Sequence, residues 1–519
     1  MRPQFLSLAL LASFSTSTVA HEESTKNANH IFNAIHSSMR QWGSSLYHNG
    51  MSFFLASVPA GTQLYHGGMS PDHVIGTEWL AFEPEHAMLF ARMPPMGSQP
   101  GIPPGRGGHK GRRPGRGGPG GSGGQKPLSL EPPEDEEPKK SGWLQTYVPV
   151  RDLRLLYIDG MSAGKTSNGT LDSQNRVLFN DTVHDDRIMN EFERAKEFCR
   201  LSREVWDDRL DGVLRMEAGF EIILCSFERD LHLLREVEVK ANKGGIPRHL
   251  PRPGKDHNKT MHELIPDAGP WMKAITARYH GIGGNRAKVN YDHFVTAYTY
   301  DLDIFGGASK ALRPRLNHID STKLEPIRQD LKALIMGHDT DELSFDWQSV
   351  TDMVVEKYAR TLKSLVSADI TANTKQLHDD LKKVLDPFFD FGGRNITAEA
   401  ERCATQFIPF TAPTQGIAAR AVRSIADSIC FTLLEAFEQP EYETAVSKIQ
   451  DLVEYLAWTT WKECQGCAYN EVCVIPVWPM GIMEDWENPT CRDIRNPQGS
   501  GVEYWGWDFI PGPTELDDS

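Results

Sequence analysis

The sequence predicts an α+β protein in which strands come first and helices follow. Three observations lead there. Between residues 21 and 240, short apolar runs alternate with Gly, Pro, Asn and Asp, the pattern of strands joined by turns. Between 263 and 462, apolar residues recur at spacing three to four, the mark of amphipathic helices. From 463 to 519, four of the eight cysteines and four tryptophans (Trp478, Trp486, Trp505 and Trp507) crowd a loop-like tail.

The N-terminus sets the expected compartment. Arg2 precedes a short apolar run, Phe5 to Phe14, and Thr18-Val19-Ala20 supplies small residues for cleavage. That is the pattern of a secretory signal peptide over 1–20, too short to span a bilayer. A secreted, extracellular protein is therefore expected, with no membrane span and no lipid-anchor signal in the polar, acidic stretch Pro511 to Ser519. Four N-x-S/T sequons, at Asn168, Asn180, Asn258 and Asn395, fit a glycoprotein. An even count of eight cysteines in an oxidising compartment predicts disulfides. Cys199 and Cys225 flank one helix-to-strand unit and are expected to pair, while the remaining connectivity stays open. Cys464, Cys467, Cys473 and Cys491 also admit a zinc site on paper, but the second close-spaced pair is missing. The net charge of −15 counts against a general nucleic-acid binder.

A helix is expected from Asn29 to Trp42, carried by Ile31, Ile35, Met39 and Trp42. Strands follow at 52–57, 63–66 and 78–82, and Pro84 opens a helix. Residues 93–141 collapse into Gly, Pro and charge, with Gly-Arg-Gly-Gly twice, and predict a disordered insertion. Strands resume at 144–148 and 153–158. A helix is expected over 187–205, then strands at 220–225 and 231–239, and a basic, Pro-rich linker over 241–262. In the helical part, Trp347, Val350, Val354, Tyr358, Leu362 and Leu365 form one stripe. Ile417, Ala421, Ile425, Ile429 and Leu433 form another.

Gly160 to Thr166, at the end of the 153–158 strand, imitates a phosphate-binding P-loop. Only three residues separate Gly160 from Gly164-Lys165-Thr166, where a P-loop needs four, and a turn follows in place of a helix. A strand ending in a small-residue loop is expected there, bordering any cleft of the first part.

Three segments carry a sharper suggestion. Leu64-Tyr65-His66-Gly67 ends a predicted strand. Glu78-Trp79-Leu80-Ala81-Phe82 is a strand followed by a helix. Phe220-Glu221-Ile222-Ile223-Leu224 opens a late strand before a second apolar one. In this order they resemble the diphtheria-toxin and poly(ADP-ribose) polymerase branch of the ADP-ribosyltransferase fold. That fold carries His-Gly, then an aromatic strand with a following helix, then a strand opened by Glu. The resemblance implies a split-sheet domain over 21–240, with the helical part and the disulfide-rich tail outside it. It also implies cleavage of NAD at the nicotinamide–ribose bond, by ADP-ribosyl transfer to an unidentified acceptor or by hydrolysis. Glu221 would stabilise the cationic sugar, His66 would hold the other ribose, Gly67 would let the backbone approach the carboxamide, and Trp79 would face the flat ring. Gly68 and Trp79 depart from the family's Ser/Thr and Tyr. The segments LLYIDGMSAGKTSNGTLDSQ and AYNEVCVIPVWPMGIMEDWENPTC further resemble uncharacterised secreted proteins of filamentous fungi, a likeness that implies no activity. The alternative expectation is a non-catalytic secreted or wall-associated protein that binds glycans through the tail tryptophans.

Overall fold

A computed structural model describes residues 26–92, 141–183, 190–240, 268–306, 313–368, 373–495 and 503–505. The expected signal peptide, the insertion up to residue 140, the 241–262 linker, the Asn258 sequon and Trp507 lie outside the described residues.

The architecture is α+β. One nine-stranded mixed sheet is built from β1 (Asn49–Val58), β2 (Leu64–Gly68), β3 (Glu78–Ala81), β4 (Ser141–Pro149), β5 (Leu153–Gly160), β6 (Gly212–Met216), β7 (Phe220–Leu224), β8 (Leu231–Lys240) and β9 (Lys288–Thr296), in the order β8-β4-β2-β3-β7-β6-β5-β1-β9. The sheet is continuous where a split one was expected. All pairings are antiparallel except β5 with β6. β1, β5 and β7 are buried along almost their whole length and read as near-continuous apolar runs, as strands covered on both faces do.

Helices cover the sheet. The expected 29–42 helix breaks in two, α1 (Ala28–Ser37) and α2 (Gln41–Leu46), because Met39 takes a left-handed φ of 55°. α3 (Pro84–Arg92) follows β3, α4 (Glu191–Val205) precedes β6, and α5 (Phe227–Asp230) is a single turn between β7 and β8. The second half supplies α6 (Ala268–Thr276), α7 (Glu325–Gly337), α8 (Trp347–Leu365), α9 (Thr374–Leu385), α10 (Ile396–Ala404), α11 (Ile417–Phe437) and α12 (Tyr442–Leu456). The side chains of Asp346, Asn373 and Asn395 accept from backbone N–H groups in the first turns of α8, α9 and α10, satisfying donors the helices leave open. The predicted stripe of α8 is buried throughout. α11 lies among α1, α8, α9, α10, α12 and β9, so the helical half and the sheet share one hydrophobic core. The second half also donates the edge strand β9.

The tail pairs β10 (Glu471–Val474) with β11 (Thr490–Asp493), and a short helix α13 (Met483–Glu487) lies between them. Disulfides join Cys199 to Cys225, as expected, and also Cys403–Cys430, Cys464–Cys473 and Cys467–Cys491. The cysteines drawn as a zinc site are thus consumed by two bridges. Among the described residues no helix is long and apolar enough to cross a membrane.

Gly67 is fixed by packing. A Cβ there would stand 1.9 Å from the Ala87 carbonyl oxygen of α3. Gly67→Ala should therefore push α3 off the sheet and cost at least about 2 kcal/mol, overpacking against backbone having no cheap relief. A lowered melting temperature of the purified variant is the check.

Candidate functional site

β2, β3 and β7 are consecutive neighbours in the sheet, so the three motif strands do come together. Their side chains do not all share a face. Residues paired across an antiparallel ladder point the same way, and neighbours along a strand alternate. Tyr65 pairs with Ala81, Ala81 with Glu221, and Glu221 with Arg215. Trp79 and Glu221 therefore lie on the face that α3 covers, and His66 lies on the other. The His66 Nδ1 is 2.9 Å from the Trp79 carbonyl oxygen, and its ring packs edge-on against Phe227. Burial lowers its pKa to about 4, against the pull of that backbone contact, and keeps it neutral. Trp79 is buried as core.

Glu221 belongs to a different assembly. Its Oε1 accepts from Arg215 Nε at 2.9 Å and lies 2.8 Å from Arg215 Nη2. Arg215 also bonds Gln174 Oε1 at 3.0 Å and donates to Glu191 Oε2. Glu191 in turn receives Arg194 at 3.0 Å and lies 3.9 Å from the Lys165 ammonium. Lys165 donates to Glu217 Oε1 at 2.5 Å. Three cations and three carboxylates, all buried, close one network at one end of β6 and β7.

Local structure places each member. Gly160, with φ 66°, turns the chain out of β5. The Ala163 N–H bonds the Met216 carbonyl at 2.9 Å, which lays the 161–166 loop beside β6. Lys165 projects inward under Trp478, whose ring centroid is 5.0 Å from Nζ, and Trp478 Nε1 donates to the Lys165 carbonyl. A π-helical turn, Ser173–Leu178, brings in Gln174, which donates to the Ser162 carbonyl. Glu191 and Arg194 sit one turn apart at the start of α4. The loop imitating a P-loop is thus a cation donor to a protein network.

Electrostatics separates the carboxylates. Burial alone would raise Glu191, but Arg215, Lys165 and Arg194 overcome it and hold it at about 2. Glu217 is pushed up to about 7 by burial. Lys165 opposes this, and the like charges of Glu221 and Glu191 add to it. The Glu217 side chain is 8% exposed, against 1% for Glu191 and 3% for Glu221, so it is the least buried of the three carboxylates. His86, from the start of α3, feels the charges of Glu217 and Lys165. Burial lowers its pKa to about 4. Its Nδ1 accepts from Trp271 Nε1 at 3.0 Å, which puts the ring proton on Nε2, an atom with no partner among the described residues. A titrating carboxyl, an ammonium and an imidazole N–H are the components of an acid–base site.

Two other suggestions resolve structurally. Gly160-Met161-Ser162-Ala163-Gly164 spells G-x-S-x-G, a pattern sequence reasoning passed over. The geometry is not that of a nucleophile elbow: Ser162 is fully buried, its φ is not positive, its Oγ donates to the Ile158 carbonyl, and no helix follows. In the tail, Trp478 and Trp505 are buried and Trp486 is partly buried against the core, so these rings pack inward where sugar-stacking platforms were the alternative expectation.

Residues 18–255 match the family described as the YPL277C N-terminal domain. The span of that YPL277C N-terminal-domain match takes in β1 to β8 and every charged member of the network. The chain is 26% identical over 550 residues to "Uncharacterized protein YOR389W" of Saccharomyces cerevisiae, covering 88% of this chain and 83% of that one. It is 28% identical over 383 residues to "Uncharacterized protein YPL277C" of the same organism, covering 65% and 75%. No solved structure matches. None of these descriptions names an activity.

Two outcomes are expected from the network. Arg215→Leu strips Glu191 and Glu221 of their shared partner and should cost about 3–5 kcal/mol in chemical denaturation. Glu217 binds its proton more tightly when folded than when unfolded, so its contribution to stability is greatest below pH 4.5 and is lost as pH rises to about 7. Denaturation of wild type and Glu217→Gln across pH 4.5–8 should show wild type losing ground to the variant over that window and nowhere above it.

Proposed function

We propose that the chain is a secreted glycoprotein that cleaves the nicotinamide–ribose bond of NAD, passing ADP-ribose to an acceptor or to water, and that Glu217 supplies the carboxylate facing the sugar. The observation carrying this is the position of Glu217. It stands in the turn between β6 and β7, four residues before Glu221, with a pKa of about 7 and Lys165 holding it in place. The sheet supports the substrate assignment. The His-Gly, aromatic and Glu strands are adjacent, a helix follows the second, and a further strand follows the third, as the ADP-ribosyltransferase resemblance implies. His66 drops out because it faces the other way, and Glu221 holds Arg215, so both are reassigned from substrate contact to support.

The chemistry follows from those groups. As the C–N bond breaks, its electron pair leaves with nicotinamide and positive charge grows on the ribose. An ionised Glu217 stabilises that charge through space. The acceptor hydroxyl or water then bonds the same carbon and gives up its proton to the Glu217 carboxylate, with the His86 Nε2–H as a neighbouring donor. An ionised Glu217 requires the pH to lie above about 7, so turnover should rise through that value. Four disulfides support an oxidising, extracellular setting.

A second reading, a non-catalytic secreted protein, is favoured by one observation. Three cations balance three carboxylates, as they would in a purely structural network. Release of nicotinamide from NAD by the glycosylated protein separates the two. Turnover should fall by about 100-fold or more in Glu217→Gln and should persist in His66→Gln. An inert wild type that binds no NAD, or an active Glu217→Gln, overturns the enzymatic reading.

The sequons give an independent check on export. Asn180 and Asn395 are exposed, whereas the Asn168 side-chain amide is partly buried and donates to the Tyr504 carbonyl at 2.9 Å. Peptide mapping of the secreted chain should find glycan at Asn180 and Asn395 and none at Asn168.

A further inference from the structure

Away from the charged network, His293 on β9, His338 at the C-terminal end of α7 and Glu342 four residues later converge at the surface. One ligating atom from each lies within 4.8 Å of the others. His338 Nδ1 is 3.2 Å and His293 Nε2 4.0 Å from the same Glu342 oxygen, Oε2. A tetrahedral zinc ion with bonds of about 2.0–2.1 Å sets its ligands roughly 3.3 Å apart, so the observed spacing needs only small side-chain adjustments. The imidazole rings stack with centroids 3.8 Å apart.

The elements carrying these three side chains are tied down independently of any ion. Arg209 donates to the Ile335 carbonyl at 2.7 Å, the His338 carbonyl at 2.9 Å and Asp339 Oδ1 at 2.5 Å, which fixes the end of α7. The Asp339 N–H donates to Glu342 Oε1 at 3.0 Å, orienting the carboxylate so that Oε2 is the oxygen facing both histidines. The loop after Glu342 is bound back onto β9. Ser344 Oγ accepts from the Tyr291 N–H at 2.8 Å, and Asp292 accepts from the Phe345 N–H and Trp347 Nε1 at 2.8 and 2.9 Å. The second set of anchors runs through Tyr291 and Asp292, the residues that precede His293 on β9. A pre-oriented carboxylate with a fixed second oxygen, and backbone anchors on either side, is the outer shell that metal ligands need.

We infer that His293, His338 and Glu342 bind one borderline divalent cation, zinc being the fitting ion, with its fourth position open to water or to an external ligand. Two imidazoles and one carboxylate suit zinc better than the all-oxygen sets of calcium or magnesium. No thiol competes among the described residues, because every cysteine is in a disulfide. The three side chains are about a third or more exposed, so the ion has direct access from solvent.

The test uses the full-length secreted chain without an affinity tag, stripped with chelator. Titration with Co2+ should produce the visible bands of a low-coordinate, tetrahedral-type ion, saturating at one equivalent and displaced by Zn2+. His338→Ala and Glu342→Gln should each weaken the apparent affinity at least about tenfold, with unchanged melting temperature in chelator. Absence of saturable binding in wild type overturns the inference, and so does binding equally strong in both variants.

Discussion

The guanidinium of Arg215 is the point on which this architecture turns. It is wholly buried, and its donors reach Glu221 on the neighbouring strand, Glu191 on α4 and Gln174 on the π-helical turn. A buried guanidinium without those acceptors would cost several kcal/mol. The positions of α4, of the turn after β5 and of the β6–β7 hairpin are therefore mutually dependent. Lys165 extends the same constraint to the 161–166 loop and, through Trp478, to the tail. The disulfide-rich tail is thereby part of the wall of the first domain's charged site, although more than three hundred residues separate them.

That coupling explains which features the sequence displayed. β2, β3, β7 and the stripes of α8 and α11 depend on local alternation and spacing, and were legible from it. β6 was not, because Gly212 to Met216 is short and follows a cluster of Asp and Arg residues that reads as a loop. β9 was not, because it sits within a helix-rich stretch and pairs with β1, more than two hundred residues away. The break after α1 was hidden because Met39 and Trp42 continue the apolar spacing across it.

The network was illegible for a different reason. Glu191 and Arg194 at i and i+3 on α4 look like an exposed helix pair, and surface pairs of that spacing recur along the same helix at Glu193–Lys196 and Glu197–Arg200. Nothing local distinguishes the buried pair from the exposed ones. The signal that did exist was composite: Lys165 in a small-residue loop, Glu217 and Glu221 four apart around a Gly-containing turn, and Arg215 two before Glu217. Conversely His66-Gly67, the most motif-like dipeptide, has a packing explanation for its glycine and an inward, core-facing histidine. A motif fixes residue order, whereas strand parity decides which face each side chain occupies.

The energetic balance of the network bears on its use. Each ion taken from water carries a penalty of several kcal/mol that attraction between partners only repays when the geometry is good, and apolar side chains of similar volume often do as well or better. This same sheet shows that apolar closure was open to it: β1 and β5 pack Phe53, Phe54, Leu55, Leu156, Tyr157 and Ile158 with hardly any charge. A fold that can close over hydrocarbon, yet gathers six ionisable groups beside the hairpin of β6 and β7, is carrying a cost that packing does not require. Within those six, Glu217 is the least buried carboxylate, holds Lys165 and is lifted into the range where it exchanges a proton near neutrality. A network serving stability alone needs Glu217 as the partner of Lys165 but has no use for a proton exchanged near neutrality. One poised for chemistry needs it, with the other five fixing where it points.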